Sequence, residues 1–241
     1  MAVKRRRSLR CRQPRGPVQL DPYWLGRGLV FYDVGNGWIW TKAGGWQGPV
    51  GRVGPPKLQT SEKYGKVRGY GPTWGSGGTT DRTDGPSIKL ATGFRSWLTF
   101  SYANGYGGGN LGRIFQPAGK AGNAAGDESW YISSASSYEI LYQRVTDALT
   151  GSWFISGAPV LDAWVGYGVT HDQRTVGTTP AMYKNGAVVT TGTLAASTGN
   201  YIAGSINLDI GNRSTTGDRG WYGMLGPKLA FDHPDSGLTA D

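Results

Sequence analysis

Hydrophobic and polar residues alternate along several short segments in the second half of the chain. Val165, Tyr167 and Val169 are two residues apart, and a similar spacing recurs over residues 206–210 and 225–231. Successive side chains of a β-strand point to opposite faces, so this period collects the apolar residues of each strand on one face. One apolar face opposite one polar face predicts antiparallel strands that pack against a core on a single side.

A tight hairpin is predicted at Asn185-Gly186, between apolar residues that include Met182 and Val188. A two-residue type I′ turn needs positive φ at both central positions, and asparagine and glycine tolerate it best. The sequence therefore predicts two antiparallel strands joined at residues 185 and 186.

Four segments occur in an order that resembles a known family. A Trp-bearing segment over 164–172 ends in Thr-His-Asp, and a Tyr-x-Asn-Gly hairpin covers 183–186. An Ile-Gly pair lies at 210–211, and a last strand-like segment runs over 223–232. This order is similar to the back half of the concanavalin A-like, laminin-G-like jelly-roll family. The resemblance implies an all-β, antiparallel β-sandwich in which an N-terminal strand pairs beside the C-terminal one.

The 241 residues are enough for one large all-β domain. We predict an extended arm over 1–19 and a single sandwich over 20–241, closed by residues 29–32 lying beside residues 228–231. A loop-rich insertion is expected over 36–85, which is rich in Gly, Pro and Trp. Further strands are predicted near residues 88–90, 98–102, 113–115, 130–132, 138–145 and 153–155.

Basic residues are concentrated at the N-terminus. The formal net charge is +9, and the first fifteen residues contain seven positive side chains and no acidic one. Such an arm is typical of contact with an acidic protein surface or with nucleic acid, and a solvated tail is the alternative. The residues predicted to contact a capsid or other partner are Lys4, Arg5, Arg6, Arg7, Arg10, Arg12 and Arg15.

The sequence carries no signal for membrane insertion or secretion. No apolar run reaches the roughly 20 residues that span a bilayer, and no apolar segment follows the basic N-terminus as in a secretory signal. Cys11 is the one cysteine, so no disulfide forms within the chain. These features predict a protein made in a reducing cytoplasm, without a membrane partner.

No set of residues in the sequence predicts an enzyme, so no catalytic residue is assigned. Residues 107–112 match G-x-G-x-x-G, but a strand-like segment follows where a dinucleotide site needs a helix. A glycoside hydrolase needs two paired carboxylates. None of Glu62, Glu128 and Glu139 has an aspartate two residues later.

The two histidines each adjoin an aspartate, at 171–172 and at 232–233. A metal site would require the two turns to converge, whereas turn residues that only cap backbone groups are commoner. We therefore predict no cofactor from these residues. Laminin-G-like domains, which the sequence resembles, often hold calcium at one rim, and Asp218 is the calcium ligand that the resemblance implies.

Aromatic residues in loops are the remaining candidates for binding. Tyrosine and tryptophan offer an apolar face on which a sugar ring can stack and a polar edge for hydrogen bonds. Tyr106 lies in a glycine-rich loop, and Trp221 and Tyr222 follow another loop that ends in glycine. These three are the candidate glycan-binding residues, with structural packing as the alternative. The tryptophans within predicted strands, Trp97, Trp153 and Trp164, are expected in the core or on the second face.

Two functions from different classes are consistent with these observations. The leading hypothesis is a bacteriophage virion structural protein: a capsid decoration or cement subunit, or part of a head or tail fibre. The arm would anchor it to the major capsid protein or another virion protein, with copies repeated on a symmetric particle. The basic leader before Arg-Gly-Leu-Val at 27–30 also resembles small proteins encoded in phage structural gene clusters.

The alternative hypothesis is a lectin-like, carbohydrate-binding module that recognises host surface glycans. Nucleic acid is not the predicted partner, although contact of the arm with packaged DNA is a third interpretation. A steep fall of binding affinity with increasing salt concentration would identify contact with DNA.

Overall fold

The computed structural model of the chain describes residues 28–33, 38–41, 44–48, 51–53, 57–61, 65–70, 81–90, 93–117, 128–133, 138–202, 204–212 and 219–233. These residues form β-strands, connecting loops and one 3₁₀ turn at Gly108–Asn110. No helix within these ranges is long and apolar enough to cross a bilayer. The strands are β1 (Gly28–Asp33), β2 (Trp38–Thr41), β3 (Gly45–Gln47), β4 (Gly51–Val53), β5 (Lys57–Ser61), β6 (Gly65–Tyr70), β7 (Arg82–Leu90), β8 (Phe94–Ala103), β9 (Arg113–Pro117), β10 (Glu128–Ser133), β11 (Tyr138–Arg144), β12 (Gly151–Ser156), β13 (Trp164–Asp172), β14 (Ala181–Lys184), β15 (Ala187–Val189), β16 (Thr191–Ala195), β17 (Gly204–Ile210) and β18 (Gly223–His233).

The strands form two antiparallel sheets. The first has ten strands in the order β15-β14-β13-β8-β18-β1-β2-β3, with β6 pairing β18 and β5 pairing β6. The second has eight, in the order β16-β12-β11-β10-β9-β17-β7-β4. Apolar side chains from both sheets form one core, so the fold is an antiparallel β-sandwich of the jelly-roll type, as predicted.

The predicted pairing of the two ends of the sandwich is confirmed. Strand β1 pairs antiparallel with β18, with Val30 opposite Ala230, Phe31 opposite Leu229 and Tyr32 opposite Lys228. On its other side β18 pairs with β8. The last strand therefore lies in the interior of the ten-stranded sheet and joins the first strand to the middle of the chain.

The predicted hairpin at residues 185 and 186 is also confirmed. Lys184 pairs with Ala187 across the turn, and both central residues have positive φ, 51° for Asn185 and 85° for Gly186. The Asn185 Oδ1 atom also accepts a hydrogen bond from the backbone N–H of Gly166 at 2.9 Å. The turn residues thus set the local geometry and fasten the hairpin to β13.

The structure corrects the prediction of a loop-rich insertion over 36–85. The described residues of that segment form β2, β3, β4, β5 and β6 and the start of β7. Four of these strands belong to the ten-stranded sheet, and β4 pairs with β7 at the end of the other sheet. The described residues of the segment are therefore part of both sheets.

The central strands β13 and β8 place particular side chains in the core. Val165, Tyr167 and Val169 are buried, as their spacing predicts. In β8 every second side chain from Trp97 to Ala103 is buried, whereas Leu98, Phe100 and Tyr102 on the opposite face are half-buried. The predicted core positions of Trp97 and Trp153 are confirmed, and Trp164 lies half-buried against Tyr102 at a ring distance of 5.8 Å.

The sandwich has two ends, or rims, where strands give way to loops. Strand β13 runs from Trp164, opposite Tyr102, to Asp172, opposite Phe94. Eight steps of about 3.3 Å place these ends roughly 26 Å apart. We call the loops at the first end, residues 104–112, 161–163 and 219–222, the tyrosine rim. We call those at the second end, residues 145–150, 173–180 and 196–202, the histidine rim.

Candidate functional site

Two loops of the tyrosine rim are joined by backbone hydrogen bonds. The N–H groups of Asn104 and Gly108 donate to the carbonyl oxygens of Tyr222 (2.8 Å) and Gly220 (2.9 Å). At the end of the same loop, the N–H of Arg113 donates to the carbonyl of Arg219 at 3.0 Å. Repeated pairing of this kind holds both loops in one geometry, so side chains on them have fixed relative positions.

Glycine is required at the closest approach of the two loops. Gly107 has φ of 74°, and a Cβ atom there would lie 2.4 Å from the carbonyl oxygen of Gly220. The 3₁₀ turn follows at once, and strand β9 begins at Arg113. The G-x-G-x-x-G match thus lies in an inter-strand loop and is followed by a strand, as predicted, rather than by the helix of a dinucleotide site.

Two of the three predicted glycan-binding residues lie at this rim with accessible side chains. Tyr106 is exposed, at 36% of its full surface, and Tyr222 is half-buried. The Tyr222 ring lies against the backbone of Gly105, where an added Cβ would be 3.4 Å from its Cδ1 atom. The glycine-rich loop therefore supports one tyrosine ring and carries the other.

The third predicted residue requires a correction. Trp221 is only 2% exposed and belongs to the hydrophobic core, and its indole Nε1–H lies 3.3 Å from the carbonyl oxygen of Tyr102. Its ring faces are covered by protein, so a sugar cannot stack on them. Adjacent residues of an extended segment point to opposite sides, which turns Tyr222 outward when Trp221 turns inward.

A polar pair that the sequence did not predict lies beside the tyrosines. The Asn104 amide Nδ2 donates to the Asp162 carboxylate Oδ1 at 2.6 Å, and the backbone N–H of Asp162 donates to the carbonyl of Ala103 at 2.8 Å. Asp162 is exposed and has φ of 55°, in the left-handed region that only asparagine, aspartate and glycine adopt readily. The pair places a fixed carboxylate at the surface of the rim.

Arg219 also holds the rim together. Its Nη1 atom donates to the carbonyl of Gly109 at 3.0 Å, and its backbone N–H donates to the buried Oδ1 of Asn212 at 3.1 Å. Asn212 thus holds the backbone at the start of the 219–222 loop. The predicted calcium ligand Asp218 and the arm residues 1–19 lie outside the described residues.

The histidine rim covers a buried network of charged and polar side chains. Glu128 is fully buried, and its Oε1 atom lies 3.5 Å from Arg144 Nε and 4.0 Å from Arg95 Nη1. Gln173 Nε2 donates to Oε1 at 2.8 Å, and Trp97 Nε1 donates to Oε2 at 2.5 Å. Burial alone raises the pKa of Glu128, but Arg95, Arg144 and the two hydrogen bonds outweigh it and hold that pKa below its ordinary value.

His171 connects this network to the loops of the histidine rim. Its Nε2 atom lies 3.2 Å from the carbonyl oxygen of Thr178 and 3.2 Å from the Tyr201 hydroxyl. Its Nδ1 atom lies 3.5 Å from the Tyr142 hydroxyl. Because a carbonyl can only accept, Nε2 carries the proton of the neutral ring, and Nδ1 is left to accept. Burial lowers the pKa of His171 to about 4.

The His171-Asp172 and Asp232-His233 pairs lie at one end of the sheet, because Asp172 and His233 are both opposite Phe94. The Asp172 side chain is engaged by Arg174, whose hydrogen bonds lower the pKa of Asp172 to about 2. Within the described ranges, no group of three or more His, Cys, Asp or Glu residues is placed to hold a metal ion.

A second buried acid links the two sheets. Glu139 of β11 accepts a hydrogen bond from the Tyr167 hydroxyl at 2.7 Å and forms an ion pair with Lys184 at 2.7 Å. Burial, then the charge of Glu139, raises the pKa of Tyr167 well above its ordinary value. Glu139 and Glu128 are both enclosed and hydrogen-bonded, which is the environment of structural carboxylates.

Acidification from pH 7 to pH 4 is expected to lower the free energy of unfolding by about 3 kcal/mol through His171 alone. The ordinary pKa of histidine is 6.5, and the folded protein lowers that of His171 to about 4. The unfolded chain therefore binds the proton first, and stability present above pH 6.5 is lost as the pH falls through this window. Urea denaturation midpoints at pH 7, 5.5 and 4 measure the loss.

The variant His171→Gln is the control for this prediction, because its side chain does not titrate. Its stability is expected to fall less than that of the natural chain over the same pH range. Equal losses in the two proteins would assign the acid sensitivity to carboxylates and contradict the prediction.

Comparisons with known proteins identify the fold. No protein-family model matches the chain, and no curated protein matches its sequence. Among solved structures, domain 4 of AbnA, a GH43 extracellular arabinanase from Geobacillus stearothermophilus, in complex with arabinotriose, is similar with a TM-score of 0.52 and 13% identity. The match covers 86% of this chain and 92% of that domain.

Two further matches are less similar. The CBM40 domain of a Ruminococcus gnavus IT-sialidase has a TM-score of 0.46 and 14% identity, over 61% of this chain and 80% of that one. A leech intramolecular trans-sialidase has a TM-score of 0.43 and 17% identity, and the match covers 61% of this chain but only 22% of that enzyme. The arabinanase domain thus supports the β-sandwich fold of this chain.

Proposed function

We propose that the protein is a carbohydrate-binding module and that its glycan site is the tyrosine rim. The observation that carries this proposal is the arrangement of exposed Tyr106 and half-buried Tyr222 beside the Asn104–Asp162 pair. Tyrosine rings supply apolar faces for sugar rings, and an amide with a carboxylate supplies partners for hydroxyl groups. A site that binds a sugar without catalysing a reaction needs this combination.

The rigidity of the rim supports the same function. The backbone hydrogen bonds from Asn104 and Gly108 to the 219–222 segment fix both tyrosine-bearing loops before a ligand arrives. A site that is ordered in advance loses less conformational entropy when it binds, which matters for a weakly held ligand such as a sugar. The rim therefore has both the chemistry and the order of a binding surface.

The similarity to an arabinanase domain solved with arabinotriose adds support at the level of fold alone. A fold does not by itself determine a function, so the argument rests on the residues of the rim. That the chain catalyses no reaction stays a prediction. The virion role also stays a prediction, since it rests on the basic arm at residues 1–19, outside the described residues. Capsid association lost on deletion of that arm would support it.

Replacing Tyr222 or Tyr106 by alanine is expected to weaken glycan binding by about tenfold each, because each ring contributes one stacking surface. The full chain would be screened on an array of oligosaccharides and polysaccharides, and the best ligand titrated by calorimetry. Thermal melting of each variant should stay close to that of the natural chain, since both rings are partly exposed.

Tyr183→Ala is the matched control for these variants. Tyr183 is half-buried in β14, opposite Gly168 and away from the rim, so its loss should leave glycan affinity unchanged. Two results would refute the proposal: no glycan bound by the natural chain, or unchanged affinity in both rim variants.

A further inference from the structure

We infer that the ligand of the tyrosine rim is an uncharged glycan and that Asp162 selects against acidic sugars. This inference rests on the proposed function, because it concerns the same surface. It adds the chemical class of the ligand and names the residue that determines it.

The position of the Asp162 carboxylate is the first observation. Its Oδ1 atom accepts the hydrogen bond from Asn104, which fixes the orientation of the whole carboxylate. Among the described residues, no donor is bonded to Oδ2, and Asp162 takes part in no ion pair. The second oxygen is therefore held in place at the exposed surface beside the tyrosines, with its negative charge uncompensated by a close cation.

The backbone supports this assignment. Asp162 and Asn185 are the described non-glycine residues with positive φ. Asn185 adopts it because a type I′ hairpin requires it, whereas Asp162 lies in the loop before β13 and closes no hairpin. Residues in sparsely populated backbone conformations are often found at functional sites. Here the conformation presents the carboxylate next to Asn104.

The chemistry of hydrogen bonding then separates the ligand classes. An ionised carboxylate can only accept hydrogen bonds, so it needs a ligand that donates. Sugar hydroxyl groups donate, and hydrogen bonds to an ionised acceptor are shorter and stronger than neutral ones. The carboxylate of a uronic or sialic acid and the sulfate of a sulfated sugar also only accept, and they add like-charge repulsion to the missing bond.

Two arginines, Arg113 and Arg219, lie at the same rim, and their positive charges have to be compared with the negative charge of Asp162. Arg219 Nη1 donates to the carbonyl of Gly109 at 3.0 Å, and Arg113 Nη1 lies 3.3 Å from that of Leu111. Both guanidinium groups thus bind backbone carbonyls of the glycine-rich loop. Arg113 is in addition buried. Arg219 is half-buried, whereas Asp162 is exposed, so the most accessible of the three charges is negative. The local chemistry therefore favours neutral ligands even though the chain is basic as a whole.

The test compares neutral and acidic oligosaccharides of equal length on the full chain. Arabinotriose, xylotriose and cellotriose serve as neutral probes, and trigalacturonic acid and sialyllactose as acidic ones. The best neutral probe is expected to bind at least about tenfold more tightly than either acidic one. Titrations at 150 and 500 mM NaCl separate the rim from the basic arm, because attraction of acidic sugars to exposed charges is screened by salt.

Asp162→Asn tests the role of the residue itself. Asparagine tolerates positive φ and keeps an Oδ1 acceptor for Asn104, so the variant preserves the loop while removing the charge. It is expected to lower affinity for the neutral probe by about tenfold and to reduce the discrimination against acidic probes. Asp147→Asn, which makes the same charge change at the histidine rim, is the matched control and should alter neither.

Each outcome has a distinct meaning. Binding of acidic probes in preference to neutral ones at both salt concentrations would overturn this inference and leave the proposed function intact. Equal effects of Asp162→Asn and Asp147→Asn would also overturn it. If no probe and no glycan on the array binds, the proposed function itself fails.

Discussion

Replacing Glu128 by glutamine is expected to lower the free energy of unfolding by about 3–5 kcal/mol. Glu128 is fully buried, as are Arg95 and Arg144, and its carboxylate is a buried counter-charge close to both guanidinium groups. Glutamine has nearly the same shape but no charge, so both buried cations lose the negative charge nearest to them among the described ion pairs. Urea denaturation at pH 7, followed by tryptophan fluorescence, measures the loss.

The hydrogen bonds of Glu128 add to this loss. Gln173 donates to one carboxylate oxygen and Trp97 to the other. A glutamine amide has one oxygen and one NH2 group, so in either orientation it places a donor against one of these donors. A buried donor without an acceptor destabilises a protein by about 1–3 kcal/mol.

Glu139→Gln is the matched control, since Glu139 is also a buried glutamate of the eight-stranded sheet. Its partner Lys184 is 30% exposed and can turn towards water, so the expected loss is smaller, about 1–2 kcal/mol. If Glu128→Gln destabilises the protein no more than Glu139→Gln does, the two buried arginines do not depend on Glu128 as described.

Trp221→Ala is expected to destabilise the protein by about 3–5 kcal/mol, because it removes a large side chain from the core and leaves a cavity. Trp221 is 2% exposed, and its indole N–H is directed to the carbonyl of Tyr102. Chemical denaturation measures the loss. The ligand affinity of the molecules that remain folded should change little, because the indole ring does not face the ligand.

The neighbouring variant Tyr222→Ala should show the opposite pattern, with weaker glycan binding and nearly unchanged stability. The two adjacent substitutions therefore separate packing from recognition in one experiment. A stable Trp221→Ala variant that no longer binds glycan would contradict the buried position of Trp221.

The sequence predicts those parts of the fold that are determined by residues close together in the chain. Val165, Tyr167 and Val169 are buried as their alternation requires, and Asn185-Gly186 makes its turn through its own φ preferences. The strands between residues 38 and 70 lack such a signal. Two of them pair with distant partners, β4 with β7 and β6 with β18, whereas β2, β3 and β5 pair with strands next to them in sequence. Strand formation of this kind depends on context more than on composition.

The candidate site shows the same division. The glycine-rich surroundings of Tyr106 and Tyr222 indicate loop positions, but the sequence does not decide which of Trp221 and Tyr222 faces outward, because that depends on packing. Asn104 and Asp162 are 58 residues apart, and only the pairing of β8 with β13 brings them together. No local pattern in the sequence reports such a contact.

The interior position of β18 has a consequence for the synthesis of the protein. β18 joins β8 to β1, so these two strands have no direct pairing and cannot be linked until the last strand is available. Domains emerge from the ribosome at about 5–20 residues per second, and contacts between distant residues form slowly. The first three strands of the sheet can pair with one another as soon as they are made, but they stay separate from β8 and the strands beyond it until β18 has been synthesised.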